Sequence, residues 1–78
     1  MAAIGFVLIS TNAGKEHEVF ERLESVKDII ELHTLFGEYD IIAKIVADST
    51  NSINSIVNAK IRTIPNIVAT NTLIGIKF

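Results

Sequence analysis

The polar chemistry of this chain is gathered in one short stretch, Gly37-Glu38-Tyr39-Asp40, set between two apolar runs. A glycine frees the backbone, so amides beside Gly37 can approach a ligand closely. A carboxylate such as Asp40 accepts hydrogen bonds and can pair with an ammonium group. Tyr39 offers an apolar ring with a polar tip. Together these groups suit a small zwitterion. The same residues also make a plain hairpin, because Gly and Asp favour turns for local reasons, Asp by bonding the turn's own amides. The remaining side chains with catalytic or ligating capacity are His17, among glutamates, and His33, between Leu32 and Thr34. They fall on different segments with no third ligand at metal spacing, so they read as solvated or interface histidines. Neither a metal nor another cofactor is expected.

Composition narrows the function classes. There is no cysteine, which removes disulfides, thiolate catalysis and cysteine-based zinc sites. The formal net charge is −2, and Lys15, Lys27, Lys44, Lys60 and Lys77 are scattered rather than clustered. Nucleic-acid binders show a basic face, so direct DNA or RNA binding is not expected. The first apolar run contains Gly5 and meets Ser10-Thr11-Asn12 without a basic region before it, unlike a signal peptide. The apolar run after Asp40 is interrupted by Lys44 and is far too short to span a bilayer. No membrane partner is expected, and a cytoplasmic location is the default.

With 78 residues the chain has room for a single domain, 1–78, and for a modest core that self-association would reinforce. Residues 2–11 read as a strand, Ile4, Phe6 and Leu8 pointing one way and Val7 and Ile9 the other. Asn12-Ala13-Gly14 breaks it. Residues 15 to about 26 place Val19, Phe20 and Leu23 on one helical face, with the acidic residues on the solvated side. Residues 29–36 and 41–47 form a hairpin about the Gly-Glu-Tyr-Asp turn. Asp48-Ser49-Thr50-Asn51 holds several N-cap candidates for a second helix running to about residue 63, with Ile53, Ile56, Val57 and Ile61 on one face. Pro65 stops it, Asn66 suits a left-handed exit, and 67–78 is the last strand.

The order β-α-β-β-α-β predicts an α+β fold of the ferredoxin-like sandwich type. Two short helices cover only one face of its sheet. Yet both parities of the first strand are apolar, and the third strand offers Ile41 and Ile45 on one face and Ile42 and Val46 on the other. A sheet apolar on both faces needs a cover on both. A second copy is the simplest cover, which predicts a homodimer, since two-fold interfaces dominate among oligomers.

Three segments resemble the effector-binding domain of the leucine-responsive regulator/AsnC family. They are Gly37-Glu38-Tyr39-Asp40-Ile41-Ile42-Ala43-Lys44, Ile61-Arg62-Thr63-Ile64, and Ile67-Val68-Ala69-Thr70-Asn71-Thr72-Leu73-Ile74. The resemblance runs from the first strand to the last. Asn66 stands where the family usually has glycine, and Phe36 where a small or polar residue is frequent before Gly37. The resemblance implies sheet-to-sheet dimers of dimeric α/β barrel type, assembled into rings or larger particles. It further implies a small effector, chiefly an amino acid, bound between dimers and altering assembly and partner choice. Gly37, Tyr39, Asp40, Thr70 and Thr72 are then the ligand-binding candidates, although the two threonines also suit an ordinary strand. The family's helix-turn-helix has no counterpart here, Met1 leading directly into the first strand, so the chain is expected either to partner a regulator of the same family or to act as a sensor on its own.

Rival functions are a small dimeric α+β barrel enzyme and the ACT domain, an amino-acid-binding module of similar fold. Against an enzyme, no nucleophile–base pair and no facing set of His and carboxylate groups is present. An RNA-recognition domain shares the element order but needs exposed aromatics on its central strands. The ACT domain differs mainly in lacking the Gly-x-Tyr-Asp turn and the Thr-x-Thr strand.

Overall fold

The computed structural model describes residues 2–77, so Phe78, expected at the end of the last strand, lies outside the described residues. The elements are β1 (Ala2–Thr11), α1 (Glu16–Glu24), β2 (Ile29–Thr34), β3 (Ile41–Ala47), α2 (Thr50–Ile56) and β4 (Ile67–Lys77), with a wide helical turn over Val57–Ile61. They build one four-stranded sheet in the order β2-β3-β1-β4. Every pairing is antiparallel. This is the ferredoxin-like arrangement that the element order predicts.

Register sorts the side chains cleanly. Val7 stands between Ala43 and Thr72, and Ile9 between Ile41 and Thr70, so these residues share a face. The helices lie on that face, where Val7, Ile9, Ile41, Ala43 and Ile45 are fully buried with Val19 and Leu23 of α1 and Ile53 of α2. Complete burial of a Leu or Ile side chain contributes roughly 1.5–3 kcal/mol, so each of these residues is a substantial share of the stability of so small a domain. Gly5 is part of the fit. A Cβ there would lie 2.7 Å from Cγ2 of Ile53, so only glycine lets α2 settle this close to β1.

The second helix keeps its apolar row by changing pitch. Ser49 caps it, its Oγ accepting from the Ser52 amide at 3.1 Å. Ile53, Val57 and Ile61 are all buried at intervals of four. In a regular helix each such step drifts by about 40° around the axis. The wide turn, in which the Arg62 amide donates to the Val57 carbonyl at 2.9 Å, offsets that drift and holds the row on the sheet. The expected helix therefore ends its regular part earlier than residue 63. Past Pro65, Asn66 sits at φ 74°, the left-handed exit its side-chain type allows.

Among the described residues no helix covers the opposite sheet face. Ile4, Phe6 and Leu8 alternate there with the buried row of β1, beside Ile42, Lys44 and Val46 of β3 and Asn71 and Leu73 of β4. Phe6, Val46 and Leu73 are 38%, 43% and 55% exposed. One charged group crosses this face: Lys44 Nζ lies 3.3 Å from Glu31 Oε2 and 5.9 Å from the centre of the Phe6 ring.

Candidate functional site

The hairpin loop begins sooner than the sequence suggests. β2 ends at Thr34, and a register irregularity between Ile29 and Glu31 interrupts its pairing with β3. The Leu35 amide donates to the Asp40 carbonyl at 2.8 Å, closing the loop, and the Asp40 amide donates to the Ile9 carbonyl at 2.9 Å. Gly37 sits at φ 140°, a left-handed backbone suited to glycine, with open space where a side chain would be. Phe36 beside it is fully exposed.

Asp40 is not bonded to the turn's own amides in the way local turn chemistry suggests. Its Oδ2 accepts from the Thr11 amide at 2.8 Å and from Thr11 Oγ1 at 3.2 Å. It thus ties the hairpin to the end of β1, 29 residues away in the chain. The adjacent Asn12 amide donates to the Asn66 carbonyl at 2.9 Å, and Asn12 Nδ2 to Asn66 Oδ1 at 3.2 Å. The end of β1, the start of β4 and the hairpin are therefore laced together at one pole of the sheet. Tyr39 reaches the open face, where its hydroxyl accepts from Asn71 Nδ2 at 3.4 Å.

Thr70 and Thr72 lie on the other face, level with Ile9 and Val7. The five candidates are thus distributed: Gly37 at the loop tip, Asp40 at the pole, Tyr39 on the open face, the threonines on the helix side of β4. Thr11, Asn66 and Asn71 join the site through contacts across the sheet that no local sequence signal marks. His17 contacts Glu21 at 2.6 Å along α1, while His33 is exposed on β2. Among the described residues no three His, Cys, Asp or Glu side chains gather to hold a metal ion. Among the described residues, too, no helix is long and apolar enough to cross a membrane.

Residues 4–77 match the family model of the Lrp/AsnC ligand binding domain. The chain belongs to the Lrp/AsnC family. It is 34% identical over 74 residues to the HTH-type transcriptional regulator FL11 of Pyrococcus abyssi, covering 95% of this chain and 48% of that protein. The chain thus spans about half the length of the regulators it matches. Among solved structures it is similar to hypothetical protein PHS023 from Pyrococcus horikoshii, at 37% identity and a TM-score of 0.87, covering 97% of this chain and 92% of that one. It shares its fold with the regulator NMB0573 of Neisseria meningitidis, solved as an L-Met complex, at 16% identity and a TM-score of 0.82, covering 96% and 50% of the two chains. The Lrp/AsnC relatives are transcriptional regulators, not enzymes, and the chain matches that family's ligand-binding domain. The enzyme and ACT readings give way to it.

Proposed function

We propose that this domain senses an amino acid and couples its binding to assembly within a cytoplasmic transcriptional regulatory system. The observation that carries the proposal is the ligand-binding family match over nearly the whole chain, joined to the turn at Gly37–Asp40 that could hold a zwitterion. A fold relative crystallised with L-Met supports the ligand class.

Two copies pair through the open sheet face, burying Ile4, Phe6, Leu8, Ile42, Val46 and Leu73, and dimers assemble further. The effector lies between dimers, contacted by Gly37, Tyr39 and Asp40 of one and by Thr70 and Thr72 of another. With scattered cations and a net charge of −2, the domain does not read DNA itself and acts through a regulator of its own family.

Native mass measurement with each of the twenty amino acids tests this directly. One or more should bind and shift the distribution of dimers and higher assemblies. A monomer at micromolar concentration that none of them alters would refute the proposal.

A further inference from the structure

We infer that Arg62 and the free edge of β4 form an anion-binding recess that takes the carboxylate of the effector. This rests on the amino-acid-sensing reading and adds Arg62 to the threonine side of that site. A cleft of about 370 Å³ opens between the end of the second helix and the start of β4, lined by Arg62, Ile67, Val68, Ala69 and Thr70. β4 is an edge strand with β1 as its neighbour. Alternate residues along such an edge turn their amides outward, unpaired. No carboxylate lines the cleft.

Among the described residues Arg62, like Arg22 and Lys27, has no acidic counter-ion. Lys15, Lys44 and Lys60 each pair with an acidic side chain. Among the described residues Arg62 makes only a long side-chain contact, Nη1 to Asn58 Oδ1 at 3.5 Å. The Thr70 hydroxyl likewise has no hydrogen-bond partner among the described residues. A planar guanidinium beside a free hydroxyl and strand-edge amides is a donor set matched to a planar carboxylate, which arginine can grip with two parallel bonds.

The larger cleft between the helices does not offer this. Its hydroxyls are already donating, Ser25 Oγ to the Arg22 carbonyl at 2.7 Å and Thr63 Oγ1 to the Ala59 carbonyl at 3.1 Å. Both helices end there, so the carbonyl dipoles of two helices disfavour an anion in that cleft, against those of one beside Arg62. That dipole explains a basic residue at the end of a helix, Arg62 included. It does not account for an unpartnered threonine and a strand edge facing the same space.

Calorimetry on the full chain tests the assignment with the twenty L-amino acids, then with the α-carboxamide of whichever binds. Arg62→Gln should weaken the amino acid by about ten- to a hundredfold, and Arg62→Lys by less. The carboxamide should bind wild type and Arg62→Gln alike, since it lacks the charge that Arg62 reads. Equal affinity of wild type and Arg62→Gln for the amino acid overturns the assignment and leaves the sensing reading standing. An equal loss for acid and carboxamide also overturns it, because Arg62 would then act on structure alone. If wild type binds none of the twenty, the sensing reading and this assignment fall together.

Discussion

The two faces of the sheet are built from the same residue types and meet different fates. On one, Val7, Ile9, Ile41, Ala43 and Ile45 vanish completely beneath the helices. On the other, Phe6, Val46 and Leu73 remain 38–55% exposed, and a lysine–glutamate pair runs among them. A protein surface routinely shows scattered apolar side chains, but a contiguous sheet face of them marks an interaction surface. The difference teaches that hydrophobicity alone does not say where a fold ends. What separates the faces is shape: Gly5 and the small Ala3 and Ala43 let helices approach one face, while Phe6 and Leu8 bulk out the other.

Substitutions of matched chemistry on the two faces would break or sharpen this contrast. Ile45→Asp buries an unpaired charge beneath the helices, a cost of several kcal/mol against a total stability of about 5–15 kcal/mol. It should leave the chain unfolded by circular dichroism. A folded Ile45→Asp protein would mean that the buried face is not the core. Gly5→Ala drives a methyl against Ile53 and should cost about 1–3 kcal/mol, read as a lowered urea midpoint.

Asp40→Ala removes the tie to Thr11 and should cost about 1–2 kcal/mol of stability. It should also weaken an amino-acid ligand by roughly ten- to a hundredfold. Thr11→Val keeps the amide donor, so it should lower the midpoint less and leave affinity nearly intact. Parallel losses of affinity in both variants would mean that Asp40 serves the fold only. The smallest effect on the fold is expected at Ile42, across the sheet from the core. Ile42→Asp should keep the secondary structure but abolish the concentration dependence of the unfolding midpoint that the proposed dimer would confer. Sedimentation should show a shift toward monomer.

Alternating strands and helical faces make much of the fold legible in the sequence. Val7 and Ile9 against Phe6 and Leu8 already implied a two-faced sheet, and Val19 and Leu23 the buried side of α1. Pro65 and Asn66 marked the exit of the second helix by backbone restriction alone, which is a local property. The candidate site was less legible because its geometry is made by distant residues meeting. Nothing near Asp40 in sequence announces that Thr11 is its partner. Strand parity placed Thr70 and Thr72 together on one face but could not say which, since that depends on register with β1. Arg62 looked like an ordinary residue at the end of a helix, and only the fold sets it beside the free edge of β4. The wide turn after Ile56 was hidden for a similar reason. It arises from fitting an apolar row to the sheet, not from a residue that breaks helices.

The outer strand of one half also closes the chain on itself: Ala2 pairs with Lys77 across the β1–β4 ladder, at the pole opposite the hairpin. Neighbouring partners in such a ladder lie about 5 Å apart. A few-residue linker could therefore join the two ends, and new ends could be cut in the exposed loop at residues 36–39 with every strand pairing kept. Anything fused to either end would emerge side by side from the same pole. An attached module would thus be held at the far end of the sheet from Asp40, so a ligand at the hairpin could affect that module only through the sheet or through the way whole copies stack.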